Sequence, residues 1–294
     1  MESPLVVGVD GSDASLTAVD WAADEAVRHE RPLRIIHASE WERYEGVAPD
    51  SATDRPPAQM LAESVVATAV GRVRLRAPAL PVTTDVLGED ASTALLREGE
   101  GSLAVVVGSR GRGGFTELLL GSVGLVVAAR APCPVVVVRG DGEALEARHD
   151  RVLLGLGEQD ADAPAVWFAF REAAVRDAEL DVVLAVRRPA HAPQSGDPGV
   201  RAGGGPSEPL DRALEAAATA HPRVRLRRRT VEGTAAKVLT ERSAGADLLV
   251  LGARRRDALA GRELGRVAHR VLHHAACPVA VVPHRHGEFP QVER

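Results

Sequence analysis

Between Val105 and Ser122 the chain reads VVVGSRGRGGFTELLLGS, with glycines at 108, 111, 113, 114 and 121 and a serine directly behind the last. An apolar run leads into this stretch and a helical pattern leads out. At such a junction backbone N–H groups and a helix dipole converge on an anion. Gly108 lets the chain leave its strand at an angle a side chain would block, and Gly111 permits positive φ and a close backbone approach. Gly121 and Ser122 stand where the next helix starts, so the serine hydroxyl and N–H either cap that helix or meet a phosphate oxygen. A flexible strand-to-helix connection with Ser122 as a plain cap is the competing account. No G-x-x-x-x-G-K-[ST] exists, and the sole lysine, Lys237, lies far from any such cluster. A dinucleotide G-x-G-x-x-G would follow the first strand instead. Asp10, in VVGVDGS, ends the first apolar run; a carboxylate there holds Mg²⁺ or a ribose hydroxyl, or else serves as a turn residue.

The elements that must position these groups are written twice. RAPCPVVVV returns as HAACPVAVV, pairing Cys133 with Cys277, and SLAVVVGSRGRGG returns as DLLVLGARRRDA, pairing Gly108 with Gly252. The openings pair Gly8 with Gly155, and a third block pairs Gly88 with Gly233. Matched blocks in one order mean a tandem duplication. The two cysteines are then one position seen twice, a buried strand entry rather than a redox pair. Each copy alternates short β-branched runs with helical periodicity, five strands to a copy. Several strands are apolar throughout, as when helices cover both sheet faces. The expected fold is α/β: two doubly wound Rossmann-like domains, each a five-stranded, mainly parallel sheet with helices on both faces, binding ligands at the carboxyl ends of the strands. The expected boundaries are 1–140 and 150–284, with 141–149 a polar linker and 285–294 a tail. Ser12 or Asp13 is the expected cap of the first helix. APDSATDRPP and the Pro/Gly-rich insert 187–209 are expected to be mobile loops.

In this order and context, GSRGRGGFTELLLGS fits the G-x₂-G-x₉-G-[ST] pattern of the universal stress proteins, read as Gly108, Gly111, Gly121 and Ser122. The flanking APCPVVVV and the opening VVGVDGS look like the same family, and the resemblance covers essentially the whole chain as a tandem protein. It implies an adenine-nucleotide alpha-hydrolase-like fold and a site for ATP, with or without Mg²⁺. Gly108, Gly111, Gly121 and Ser122 would line phosphates and ribose, Asp10 would sit near ribose, phosphate or metal, and the backbone at Ala38 would face adenine. His37 belongs to the same strand as Ala38 and is expected to pack. The resemblance also implies self-association through last strands. CPVVVV and CPVAVV would then pair within one chain as a pseudo-twofold dimer, with homodimerisation of the whole chain open.

The second copy departs from the pattern. Arg255 stands for Gly111, Arg266 for Ser122 and Gly157 for Asp10, while Gly252 and Gly265 are kept. One nucleotide site per chain is therefore expected, in the N-terminal half. Arg254, Arg255, Arg256, Arg262 and Arg266 form a solvated basic face or an anion site of another kind. His269 and His273, spaced i, i+4, lack an evident acidic third ligand, so no metal site is expected.

Composition narrows the function classes. With 36 basic against 41 acidic residues and aromatics at 3%, a nucleic-acid partner is not expected, and RLRRR (225–229) has no stacking aromatics beside it. The most apolar window, 118–129, is too short to span a bilayer, and MESPLVVGVDGSD lacks the basic start of a signal peptide; a cytoplasmic protein is expected. Three readings stand: an ATP-binding stress-response regulatory module, a slow Mg-dependent ATPase or phosphotransferase working through Asp10, and a nucleotide-independent scaffold. Arg110 and Arg112 are the loop's cations, and no base offers itself beyond Asp10 or Glu117. The loop is a cradle without catalytic parts, which favours the regulatory module.

Overall fold

The structure, a computed structural model, describes residues 3–38, 57–111, 120–157, 163–186, 208–253, 256–258 and 261–284. Arg112, Glu117, Arg254, Arg255, the tail 285–294, most of APDSATDRPP and nearly all of the insert 187–209 lie outside them. The N-terminal half runs β1 (Leu5–Gly8), α1 (Asp13–Arg28), β2 (Leu33–Ala38), α2 (Pro57–Arg76), β3 (Val82–Leu87), α3 (Ala91–Glu98), β4 (Ala104–Gly108), α4 (Ser122–Arg130) and β5 (Val135–Val138). A helical turn, α5 (Gly142–Leu145), leads to the second half. There follow β6 (Arg151–Leu156), α6 (Ala163–Arg176), β7 (Glu179–Val186), α7 (Glu208–Ala220), β8 (Leu226–Glu232), α8 (Ala235–Ser243) and β9 (Leu248–Ala253). The chain closes with β10 (Arg256–Ala258), β11 (Gly261–Glu263), α9 (Arg266–His274) and β12 (Val279–Pro283).

Ten strands form one sheet in the order β3-β2-β1-β4-β5-β12-β9-β6-β7-β8. Every neighbouring pair is parallel except the central one, β5 against β12, where Val136 faces Ala280 in antiparallel register. Each half is thus a doubly wound unit, and the halves meet through their last strands inside one chain. The apolar runs explain the arrangement. Val6, Val7, Val105 and Val106 are fully buried, because successive side chains point to opposite sheet faces and both faces are covered. One face packs on α1, α2, α6 and α7. The other packs on α3, α4, α5, α8 and α9.

The duplication is legible in the packing. A Cβ on Gly8 would lie 2.9 Å from Leu95 Cδ1, and one on Gly155 would lie 2.7 Å from Leu239 Cδ1. In each copy a strand glycine admits the same helix leucine. The segment expected as a polar linker carries a docked helical turn. Asp141 caps α5 by accepting from the Ala144 N–H at 3.0 Å, and Ala144 is buried. Gly140, at φ +113°, passes so close to the Ala276 carbonyl that a Cβ would stand 2.3 Å from it. The sequence showed polarity here, but not that the second half would come back to cover it.

Candidate functional site

In each half the strand order reverses between the first and fourth strands. The crevice at the carboxyl ends of such a pair is where open α/β sheets take ligands. In the N-terminal half that pair is β1 and β4. Gly8 is registered with Ile36 of β2, so Asp10 and Ala38, two residues on in each chain segment, stand level at the same edge. Val7 is registered with Val106 of β4, which brings Gly108 to that edge too. Asp10, Ala38, Gly108, Gly111, Gly121 and Ser122 thus converge from four segments of the chain.

Ser12 organises the β1 corner. Its N–H donates to Asp10 Oδ1 at 2.9 Å and its hydroxyl donates to the same oxygen at 2.6 Å. The same Ser12 oxygen caps α1, accepting from the Ser15 N–H at 3.2 Å. One serine thereby ends the loop, starts the helix and fixes the carboxylate. Position alone did not reveal that Asp10 is held by its neighbour in this way. His37 is buried, as expected of a packed residue, and its Nδ1–H donates to the Val9 carbonyl at 2.7 Å. That bond ties β2 to the residue before Asp10.

The glycines do three different things. Gly108 lies under the first turn of α1, where a Cβ would meet the Ala14 carbonyl oxygen at 2.6 Å and the Ser15 nitrogen at 2.9 Å. The reason for glycine there is a helix lying on the strand end, not the exit angle of the chain. At Gly111 a Cβ would stand 2.6 Å from Asp10 Oδ2, so the loop and the carboxylate are packed together. Gly121 differs from both. Among the described residues the nearest neighbours to a Cβ there are the Gly111 nitrogen at 3.8 Å and Arg110 Cα at 3.9 Å, ordinary contacts, and its φ of −71° suits any residue.

Gly121, rather than Ser122, is the N-cap of α4, and it offers the helix no side-chain oxygen. Ser122 is the first helical residue and is exposed. A helix start without a side-chain cap leaves N–H groups for another acceptor. The Gly121 N–H itself donates to the Ser109 carbonyl at 2.9 Å, closing the loop at its base.

In the second half, β6 and β9 occupy the equivalent places, Gly252 ends β9's apolar run, and Gly265 caps α9 before Arg266. Between them runs a two-stranded hairpin, β10 against β11, with Arg256 opposite Glu263, and β11 packs against α4 of the first half. That hairpin was not foreseen, because an arginine run carries no strand periodicity. The rings of His269 and His273 lie tilted to one another at 35°, with centroids 4.6 Å apart. No helix among the described residues is long and apolar enough to cross a membrane.

A family model described as the universal stress protein family matches residues 1–139 and again 149–283. A universal stress protein of Mycolicibacterium smegmatis is 33% identical over 294 residues, spanning 96% of this chain and 97% of its own. Universal stress protein Rv2005c of Mycobacterium tuberculosis is 31% identical over 294 residues, spanning 94% and 96%. Among solved structures, that of a universal stress protein from Archaeoglobus fulgidus superimposes with a TM-score of 0.67 at 17% identity, covering 95% of this chain and 98% of that one. This last likeness is one of fold.

Proposed function

The chain belongs to the universal stress protein family over both of its halves, and from that membership and the crevice geometry we infer an ATP-binding stress-response regulator with a single nucleotide site, in the N-terminal half. Gly121 carries the reading. Gly108 is crowded by α1 and Gly111 by Asp10, but among the described residues no neighbour excludes a side chain at Gly121. A glycine beside a helix start without a side-chain cap keeps open a space that an incoming phosphate fills. The residues fit the ligand: backbone N–H groups of α4 for phosphate, the Ser122 hydroxyl for phosphate or ribose, the Ala38 backbone for adenine, and Asp10 for a ribose hydroxyl or Mg²⁺. In the second half Arg266 opens α9 where Ser122 opens α4, and Gly157 replaces Asp10, so the pair that would hold ribose and phosphate is missing.

A second reading, slow Mg-dependent hydrolysis, is favoured by one observation. Asp10 is held by two hydrogen bonds from Ser12 beside the loop, as a metal-positioning carboxylate would be. Isothermal titration of ATP with Mg²⁺ into the full chain tests the first reading, with Gly111→Arg as the variant that copies position 255. We expect one site per chain, lost in the variant. Two sites, or none, would overturn it. Phosphate release that stops in Asp10→Ala while ATP still binds would establish the second reading.

A further inference from the structure

On the axis relating the halves, α1 and α6 lie side by side, and four buried ionisable side chains meet between them. Arg176 Nη2 donates to Glu25 at 2.6 and 2.8 Å, and Arg176 Nη1 donates to Glu172 at 2.5 Å. His29 Nε2 lies 3.3 Å from Glu25 and 3.2 Å from Glu172. The side chains of Glu25, His29, Glu172 and Arg176 are 5%, 6%, 2% and 4% exposed, so water screens little of this charge. The repeat register that pairs Gly8 with Gly155 also pairs Glu25 with Glu172 and His29 with Arg176. Both helices end alike, with Glu30 at φ 53° and Asp177 at φ 51°. The cluster is one helix position of the ancestral domain, met by its own copy, with a single exchange of arginine for histidine.

Charge decides what the histidine must be. Two carboxylates against one guanidinium leave one buried negative charge, which a proton on His29 cancels. Glu25, His29 and Glu172 also bring one ligand atom each within 4.8 Å of one another, as a metal site would. A divalent cation in place of the proton would leave the cluster net positive, with Arg176 already on both carboxylates. Arg28, 3.2 Å from Glu25, and Arg171, 3.6 Å from Glu172, stand at the rim with their side chains 25% and 38% exposed, where solvent screens their charge. Beneath, β5 and β12 offer the apolar Val136, Val138, Ala280 and Val282 to the same core. We infer that Glu25, His29, Glu172 and Arg176 form a charge-balanced clasp between the two halves, of which the His29 proton is a structural part.

The titration behaviour agrees with the geometry. Burial alone would lower the His29 pKa, but its hydrogen bonds to Glu172 and Glu25 and their charges outweigh it and carry the imidazole up to about 9. A histidine raised in the folded state stabilises fully below its ordinary value of 6.5, and that contribution is lost as pH rises through about 9. The folded protein should therefore weaken in alkali, by on the order of a hundredfold in its unfolding equilibrium between pH 6 and pH 10.

The test is an NMR titration of the imidazoles of the full chain, with His29 assigned from its missing signal in His29→Gln. Urea midpoints from pH 6 to 10 are measured alongside on wild type and on His29→Arg, which restores the residue of the other copy. We expect His29 to stay protonated through pH 8, the wild-type midpoint to fall progressively as pH rises from the histidine's ordinary value of 6.5 up to about 9, and His29→Arg to show no fall in that window. Titration of His29 near its ordinary value would overturn the clasp. So would an alkaline fall that persists in His29→Arg. Added Zn²⁺ that displaces the His29 proton at neutral pH and raises the midpoint would overturn it in favour of a metal site.

Discussion

A glycine can be required by the fold or by a ligand, and the two kinds respond differently to one added methyl group. At Gly108 the methyl would enter the backbone of the first turn of α1, at 2.6 Å from Ala14 O, and backbone cannot swing aside. Gly108→Ala should therefore lose about 1–3 kcal/mol of stability, read as a lower urea midpoint. At Gly121, among the described residues, the methyl meets only ordinary contacts. Gly121→Ala should leave the midpoint within about 0.5 kcal/mol of wild type while weakening ATP binding. Equal losses of stability at the two positions would mean that Gly121 serves the fold and would remove the main support for the nucleotide site. The glycine pattern was legible in the sequence as a unit. Its division of labour was not, since what crowds Gly108 comes from α1 and what crowds Gly111 comes from Asp10, both about a hundred residues earlier in the chain.

At the scale of elements, the ten strands differ in how their backbone groups are protected. The β5–β12 pair sits at the centre with strands on both sides, and its valines are buried on both faces. The outermost strands, β3 and β8, each have one neighbour among the described residues. β8 carries Arg227 and Arg228 exposed and Arg229 paired with the buried Asp181 at 3.2 Å. Charges along an edge strand deter pairing with another chain, which accounts for RLRRR more simply than an anion partner does. Amide hydrogen exchange should find β5 and β12 among the slowest strands, opening together, with β3 and β8 the fastest. Independent protection of β5 and β12 would mean that the halves are separable units joined by little more than the α5 turn. The strands themselves were readable from β-branched runs. The pairing of β5 with β12 was expected only through the resemblance, which implies self-association through last strands, and its antiparallel register came from the structure.

For the whole molecule, cohesion of the halves combines apolar strands with the buried charge cluster between α1 and α6. Burial alone would raise the Glu25 carboxyl pKa, but the Arg176 guanidinium and the hydrogen bond and charge of His29 together outweigh it and hold the carboxyl well below the ordinary carboxylate value. Depression of a carboxyl pKa contributes stability that is present above its unfolded value and lost as pH falls through the folded one. Glu25→Gln should cost about 3–5 kcal/mol at neutral pH, since it leaves a buried positive charge without its counter-ion. It should also flatten the acid limb of the wild-type stability curve, measured as urea midpoints between pH 3 and 7. A variant as stable as wild type, with the same acid limb, would show that the half–half contact rests on the β5–β12 pair alone.

What the sequence by itself determined is whatever repeats at short range: the two copies, the alternation of strands and helices, and the glycine-rich loop whose Gly111 and Ser122 become Arg255 and Arg266 in the second copy. Periodicity and glycine spacing record those directly, because they are set by each residue's own backbone and its nearest neighbours in the chain. Only the tertiary structure decided which groups meet. Ser12 braces Asp10 because a loop closes over three residues. Gly108 is a helix seat because α1 folds back onto β4. Glu25 and His29 read as ordinary residues of a surface helix until α6 covers them, and burial then turns four scattered charges into one neutral unit. Such encounters depend on segments far apart in sequence, and no local pattern of residue types encodes them.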